Sequence, residues 1–227
     1  MLSDILTFIT TVGWTGAYIV LIYRGFKDKT CGMPLPALAL NITWEFTFSF
    51  LRPNAIPIQL VSNAVWFFLD LLILYTYLKY GRKEFSKIAD PKWMVPWTLA
   101  AIATGFSVQH FSNLQFFDDQ AHNMVENYCA FFINLIMSVA FVDMLARRRN
   151  TEGQSMIVAV GKCLGSLAAG IMNYTETHHA LVVVLSIATL LFDVIYIVML
   201  HGALRTERSP HAITPDHVRP LGADAAE

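Results

Sequence analysis

Residues 41–48, NITWEFTF, place the carboxyl group of Glu45 inside a segment that is apolar enough to cross a bilayer. A charged side chain at the centre of a membrane helix costs about 2.5–3.5 kcal/mol on insertion scales, so an acidic residue there indicates a functional site. On a helix, Asn41 and Glu45 share a face, and Phe48 lies on the same stripe one turn further on. The pattern predicts that an amide, a carboxyl group and aromatic rings border one space.

The chain around this segment has the composition of a polytopic membrane protein. Of its 227 residues, 55% are hydrophobic and 15% are charged, which is more apolar than a typical water-soluble domain. A spanning helix needs ~20 mostly apolar residues. Seven such runs occur, at residues 5–23, 34–51, 57–78, 93–111, 124–145, 156–174 and 180–200. We therefore predict an all-α fold, a bundle of seven transmembrane helices within residues 1–204, followed by a disordered tail, 205–227.

The positive residues predict how this bundle is oriented in the membrane. Fourteen of the sixteen Lys and Arg residues follow or flank the first, third, fifth and seventh apolar runs. Because cytoplasmic loops carry the excess of positive charge, the N-terminus is predicted to lie outside and the C-terminal tail in the cytoplasm. The sequence thus predicts a multi-pass protein, either of the bacterial cell membrane or of the endoplasmic reticulum.

Further acidic residues lie within the apolar runs. Asp193 lies deep in the seventh run with Tyr196 on the same face, and Asp70 lies in the third run with Trp66 on its stripe. At a rise of ~1.5 Å per residue, Glu45 lies ~16 Å from the start of its run and Asp193 lies ~10 Å from the end of its own. Both carboxyl groups are therefore predicted near the middle of the bilayer, where they could line one cavity.

Three other polar residues of the apolar runs receive different interpretations. Lys162, about one and a half turns into the sixth run, is predicted to extend its stem so that its ammonium group reaches the cytoplasmic interface. Asp143 lies beside three arginines and is interpreted as an interfacial charge. Asn134, midway along the fifth run, is predicted to reach a partner carboxyl group or a ligand.

Two carboxyl groups in an aromatic, water-poor pocket indicate acid catalysis. Apolar surroundings favour the protonated form of a carboxyl group, which is then a competent general acid towards an epoxide oxygen or an electron-rich alkene. A second carboxyl group can hold that acid, share its proton or stabilise positive charge. Aromatic ring faces, such as those of Trp44, Trp66 and Phe106, attract a cation by ~0.5–2 kcal/mol each.

The combination of two short motifs with seven spans resembles a known family. Asn41-x-x-Trp44-Glu45 in the second run and Phe192-Asp193-x-x-Tyr196 in the seventh resemble the integral-membrane terpene cyclases. These enzymes serve fungal meroterpenoid and indole-diterpene pathways and have shorter bacterial relatives that act on prenylated indoles. The resemblance implies a protonation-initiated, non-redox cyclisation of lyase or isomerase type, with Glu45 and Asp193 as the two essential acids. Its substrate would be a polyprenyl chain, or the terminal epoxide of one, on an aromatic or indole-derived group.

The predicted site combines these acids with residues that would bind the substrate. Glu45 and Asp193 are predicted to be catalytic, and the substrate is predicted to contact Asn41, Trp44, Phe48, Trp66, Asp70, Phe106, Asn134 and Tyr196. The expected partners are a prenylated small molecule and the lipid bilayer, with no nucleic acid and no protein partner implied.

No metal or other cofactor is expected. Asp118-Asp119-Gln120-Ala121-His122 resembles a diphosphate-binding Asp-Asp-x-x-Asp box only superficially, since it ends in His122 and lies in a loop that we interpret as solvated.

Other classes of membrane protein remain to be compared with a cyclase. A retinal-based photoreceptor would carry a lysine in its last span, and the seventh run has none. A small proton-coupled transporter is the alternative that stays open, because buried carboxyl groups also serve as proton relays. A structural scaffold is disfavoured, since it would have no use for two costly buried acids.

Overall fold

The computed structural model describes residues 2–116 and 122–208, and this part of the chain is helical, with no strand. The α-helices are α1 (Leu2–Asp28), α2 (Leu35–Phe46), α3 (Pro57–Tyr80), α4 (Arg82–Phe85), α5 (Met94–Gln115), α6 (His122–Arg148), α7 (Met156–Thr177) and α8 (Ala180–Arg208). A π-helical segment, Thr47–Leu51, continues α2, and a 3₁₀ turn, Pro91–Trp93, precedes α5. The predicted all-α class is confirmed, and each predicted apolar run is largely helical, the second one divided between α2 and its π-helical continuation. The last helix, α8, continues to Arg208, and residues 209–227 lie outside the described part.

Five of these helices, α1, α3, α6, α7 and α8, are long and apolar enough to cross a membrane, judged by length and composition. Helix α2 with its π-helical continuation reaches only about 25 Å at the α-helical rise, against a hydrocarbon core of about 30 Å. Helix α5 is long enough but buries the polar side chains of Gln109 and Asn113. That α2 and α5 also cross the membrane therefore stays a prediction, and so does the orientation of the bundle.

Local sequence signals set the ends of several helices. Extended backbone at Pro34 precedes α2 and Pro57 opens α3, in keeping with the fit of proline to a first helical turn. At the start of α7 the Ser155 hydroxyl accepts a hydrogen bond of 3.2 Å from the backbone N–H of Ile157, which is an N-cap. His178, with a φ of 53° in the left-handed region, ends the same helix.

The surface and the interior have the distribution expected of a bundle in lipid. Large apolar side chains point outwards, among them Phe8, Phe68, Leu99, Leu164 and Val198. A water-soluble domain rarely exposes so large an apolar surface. Carboxyl, amide and ammonium groups are instead buried between the helices, where the candidate site is found.

Helices α1 and α7 make the most extensive contact in the bundle. A Cβ atom added at Gly13 would lie 2.6 Å from the backbone oxygen of Gly161 and 3.2 Å from the backbone of Gly165. Small residues permit this approach of two backbones, as is common between membrane helices. The contact fixes α1, and the aromatic residues on it, against α7.

Candidate active site

Side chains from three helices form one buried hydrogen-bond network around Glu45. The Tyr18 hydroxyl on α1 donates a hydrogen bond of 2.7 Å to Glu45 Oε1 on α2. The amide Nδ2 of Asn41 lies 3.0 Å from Glu45 Oε1 and 2.9 Å from Asp70 Oδ2 on α3, and it also contacts the Tyr18 hydroxyl. Glu45 is 1% exposed and Asp70 is 0% exposed. The shared face predicted for Asn41 and Glu45 is present, and the structure adds Tyr18 and Asp70 to it.

This network borders a cavity of about 270 Å³. The cavity extends from Glu45 to the end of the bundle at which α2 and α7 end and α3 and α6 begin, and it reaches Thr177 at the last turn of α7. Five of the predicted site residues line it, namely Asn41, Trp44, Glu45, Trp66 and Asn134. The bundle therefore contains an internal space that combines a carboxyl group with aromatic and amide side chains.

Hydrogen bonds hold two of the three tryptophan rings of the cavity in place. Trp66 Nε1 donates to the Thr15 hydroxyl at 3.0 Å, and the Trp66 ring stacks on that of Tyr18 with centroids 6.5 Å apart. Trp44 Nε1 donates to the backbone oxygen of Glu126 at 3.1 Å. Because each indole N–H is satisfied within the protein, the ring faces remain for contact with a ligand.

The predicted position of the Lys162 side chain is wrong. Lys162 is 2% exposed, and its ammonium group lies 2.7 Å from Asp193 Oδ1 and 2.6 Å from the Ser138 hydroxyl. It forms a buried ion pair because α6, α7 and α8 pack around this point, which leaves the ammonium group no route to the interface. The partner carboxyl is that of Asp193, so the second predicted acid neutralises a lysine.

Asp193 does not line the cavity, and so the two predicted acids do not meet there. The connection between them is indirect, because Lys162 Nζ lies 5.5 Å from the centroid of the Trp14 ring, and Trp14 lines the cavity beside Tyr18. Sequence spacing indicated a similar depth for Glu45 and Asp193 but held no information on which helices are neighbours.

Three aromatic residues predicted to contact the substrate pack elsewhere in the described structure. Phe48 is fully buried against Trp44, with ring centroids 5.4 Å apart, and Phe106 packs edge-on against Phe46. Tyr196 donates a hydrogen bond of 3.0 Å from its hydroxyl to Gln154 Oε1. These residues support the helices around the cavity and do not form its wall.

A second polar cluster, which the sequence did not reveal, lies at the other end of the cavity. Glu126 on α6 is 3% exposed and lines the cavity. Its Oε2 accepts a hydrogen bond of 2.7 Å from Asn54 Nδ2, and its Oε1 accepts one of 3.2 Å from Asn63 Nδ2. The signal available in the sequence was that Asn63 lies seven positions before Asp70 and hence on the same face of α3.

Metal-ligating side chains are not grouped in the described ranges. Within residues 2–116 and 122–208, no three His, Cys, Asp or Glu side chains lie together as a metal site would require. The Asp118-Asp119 segment lies outside the described residues, so its interpretation as a solvated loop stays a prediction.

A helical bundle with an apolar surface and a carboxyl network at an internal cavity defines a membrane protein built to act on an apolar ligand. Comparison with known proteins identifies its family. The Pyr4-like transmembrane terpene cyclases match residues 1–206, and the chain belongs to this family.

Individual relatives share about a quarter to a third of their residues with this chain. Pyr4-family terpene cyclase mfmH of Annulohypoxylon moriforme is 32% identical over 171 residues, which cover 73% of this chain and 69% of the relative. Terpene cyclase pyr4 of Aspergillus fumigatus is 27% identical, with 74% and 68% covered. Asnovolin H synthase nvfL of Aspergillus novofumigatus is 25% identical, with 75% and 69% covered. No solved structure matches the chain.

Proposed function

We propose that this membrane terpene cyclase starts ring closure by protonating the end of a polyprenyl chain, with Glu45 as the proton donor. The proposal rests on one observation, the Glu45 carboxyl group at the cavity wall. Its Oε1 accepts hydrogen bonds from Tyr18 and Asn41, no amide, hydroxyl or backbone N–H of the described residues donates to its Oε2, and the Asp70 carboxyl group lies within hydrogen-bonding reach of the Glu45 carboxyl group. A protonated carboxyl group carries its hydrogen on one oxygen, and Oε2 is the oxygen left for that hydrogen.

The proposed reaction is an isomerisation in which protons balance. Glu45 transfers a proton to the terminal alkene carbon or to the epoxide oxygen, which leaves a carbocation on the prenyl chain. Internal double bonds attack this cation in turn and form the ring carbon–carbon bonds. The last cation loses a proton to a base, and Glu45 is reprotonated. The product has the mass of the substrate, and no electron is transferred to or from the protein.

The shape of the cavity suits this chemistry. The ring faces of Trp14, Trp44 and Trp66 line it, and aromatic faces stabilise a passing cation by ~0.5–2 kcal/mol each. Walls that exclude water also protect the cation from capture. In this scheme Asp70 contributes through its side-chain hydrogen bond with Glu45 and through Asn41, whose amide contacts both carboxyl groups.

We assign Asp193 a positioning role. Its carboxyl group binds the Lys162 ammonium group, which lies under the Trp14 ring that borders the cavity. Removing the negative charge would leave a buried cation uncompensated beside that ring. An effect of Asp193 on the reaction is thus expected through the placement of Lys162 and Trp14, without contact between Asp193 and the substrate.

The remaining features of the proposal concern the membrane and the cofactors. We infer seven spans with an external N-terminus and a cytoplasmic C-terminus, in the bacterial cell membrane or the endoplasmic reticulum, and a reaction that needs no metal. In that orientation the cavity extends towards the outer end of the bundle. The family favours a cyclase over the proton-coupled transporter, because its relatives are named terpene cyclases.

The direct test is turnover by purified protein in detergent. Farnesylated and geranylgeranylated indole compounds, each with a terminal alkene or a terminal epoxide, are incubated with the protein, and the products are analysed by chromatography and mass spectrometry. The expected product has the substrate's mass and additional rings, and alkene substrates in D₂O gain one deuterium at the protonated carbon. A transporter would convert none of these compounds in detergent, and that result would refute the proposal.

A further inference from the structure

The cavity has a polar group at each end, and the cluster at the Glu126 end has no part in the proton transfer. This cluster is made of Glu126 on α6, Asn54 in the α2–α3 connection, and Asn63 and Gln59 on α3. Glu126 and Asn63 are almost fully shielded, at 3% and 0% exposure. Burying such a group is costly unless it is hydrogen-bonded, so the direction of each hydrogen bond is informative.

The hydrogen bonds of the cluster orient the side-chain NH₂ groups of Asn54 and Asn63 towards the Glu126 carboxyl group. The side-chain oxygen of Asn54 accepts the backbone N–H of Ile56 at 2.7 Å, so its NH₂ group is left to donate to Glu126 Oε2. The side-chain oxygen of Asn63 accepts from Gln59 Nε2 at 2.6 Å, so its NH₂ group is left to donate to Glu126 Oε1. The two amides are thereby fixed as donors, and Glu126 is fixed as the acceptor.

Glu126 retains the capacity to accept further hydrogen bonds. A carboxyl group offers about four lone-pair positions on its two oxygens, and the two amides occupy two of them. The residue lines the cavity, so a bound molecule with an N–H or O–H group can use a remaining position.

The separation of the two ends suits a prenylated ring compound. Asn63 of this cluster and Asp70 of the Glu45 network are seven positions apart on α3, which corresponds to about 10 Å at the helical rise. Trp66 lies between them on the same helix face, and Ala130 and Phe131 line the cavity from α6. Trp66, Ala130 and Phe131 thus lie between a proton donor at one end and a hydrogen-bond acceptor at the other.

We propose that Glu126 binds the head group of the substrate through an N–H or O–H donor on the ring that carries the prenyl chain. The prenyl chain then extends along Trp66, and its far end lies at Glu45. This inference rests on the proposed cyclase function and adds the direction in which the substrate lies and the chemistry of its head group. The chemical class is a prenylated ring compound with a free hydrogen-bond donor.

The first experiment compares donor-bearing substrates with methylated ones. 3-Farnesylindole is paired with its N-methyl derivative, and a farnesylated phenol with its methyl ether, so that the two pairs separate an N–H donor from an O–H donor. Binding to the Glu45→Gln protein is followed by tryptophan fluorescence, and turnover by the wild type is followed by mass spectrometry. We expect at least a tenfold weaker binding of the methylated member of one pair, in keeping with the loss of a hydrogen bond to a charged group.

The same comparison in a Glu126→Gln variant separates binding from a structural role. If Glu126 contacts the donor, the variant, whose amide oxygen is a weaker acceptor than a carboxylate, weakens binding of the donor-bearing substrate and lowers the ratio between the pair. If Glu126 only holds the α2–α3 connection, the variant weakens both members equally, and the inference is wrong. Asp143→Asn, which removes an exposed carboxyl group at the far end of α6, is the matched control and should leave the ratio unchanged.

A photoreactive substrate tests the orientation without any substitution at Glu126. A farnesylated indole with a diazirine on its ring is irradiated in the wild-type protein, and the labelled peptides are mapped. Labels at residues 54–63 and 124–130 support the inference, whereas labels around Tyr18 and Asn41 would reverse the orientation and overturn it. If the wild type converts neither pair, the proposed function falls and this inference falls with it. If it converts the members of both pairs equally well, this inference alone is overturned.

Discussion

The hydroxyl of Tyr18 and the carboxyl group of Glu45 are joined by a hydrogen bond of 2.7 Å in which both residues are almost fully shielded. The bond connects the first helix of the chain to the acid of the second. It restricts the rotation of the Glu45 side chain, so that the carboxyl group has one orientation towards the cavity. The position of the proposed proton donor therefore depends on a residue of another helix.

Replacing Tyr18 by Phe should slow cyclisation about ten- to a hundredfold, because the carboxylate that forms as Glu45 gives up its proton loses a hydrogen bond, and such a bond to a charged group contributes about 1.5–3 kcal/mol. The ring remains, so the packing on Trp66 is kept and the KM should change little. Steady-state kinetics in detergent measure both constants. An equal loss after Tyr23→Phe, which changes an exposed tyrosine of the same helix, would show that the effect is not specific to the network.

Replacing Glu45 by Gln should lower turnover by at least about a hundredfold, since general acid catalysis contributes about 10²–10⁴. The amide keeps the size and the hydrogen bonds of the side chain but cannot deliver a proton. Product formation is measured by mass spectrometry, with Asp143→Asn as the control for nonspecific damage. Retention of most of the turnover with an unaltered product would mean that the proton comes from another group.

Replacing Asp193 by Asn should destabilise the protein by about 3–5 kcal/mol, because the buried Lys162 ammonium group loses its counter-charge. The double variant Lys162→Met with Asp193→Asn, compared with each single variant and the wild type, removes both charges and should recover most of that stability. Thermal unfolding in detergent compares the four proteins of this cycle. If the double variant unfolds as easily as Asp193→Asn, the two residues are not coupled and the ion pair does not explain the effect of Asp193.

Activity should survive strong chelation. The proposed mechanism starts from a carboxyl proton, so it has no step that requires a divalent cation. Turnover is measured with and without excess EDTA and after addition of magnesium. Loss of turnover in EDTA that magnesium restores would return Asp118 and Asp119 to consideration as metal ligands.

The orientation of the bundle is tested with reporters at each end. A reporter fused to the C-terminus should behave as cytoplasmic, and one fused to the N-terminus as external, because the basic connections are retained in the cytoplasm. Single cysteines placed within residues 113–123 and within residues 147–149 give a second measurement with an impermeant reagent. Protection of residues 113–123 together with labelling of residues 147–149 from outside would invert the proposed topology.

Much of the fold could be predicted from the sequence, because hydrophobicity and length are local properties. Six of the seven apolar runs correspond to long helices and the second to the shorter α2 with its π-helical continuation, and the pairing of Asn41 with Glu45 followed from a spacing of four on one helix. The fold is less regular where the chain departs from simple spans, as in the π-helical segment Thr47–Leu51 directly after Phe46. Such a segment depends on side-chain packing that no periodicity reveals.

The residues that the sequence did not predict are those whose role depends on a neighbouring helix. Lys162 was expected at the interface because its depth allowed it, yet Asp193 and Ser138 on two other helices hold it inside. Glu126 lies near the start of its apolar run, where no spacing marks it as functional, and only its contacts with Asn54 and Asn63 show it as a buried acceptor. Pairing between helices is long-range information, and one sequence does not contain it.

The contact of Gly13 with the backbone of Gly161 has a mechanical consequence for a chamber that must admit a bulky molecule. Two helices whose backbones touch lose their dispersion contacts when they separate. We therefore expect α1 and α7 to move together as one rigid unit. The widening that lets a substrate in or a product out is then expected to come from another helix contact, such as that of α2 with α6 at the Trp44 indole and the backbone of Glu126.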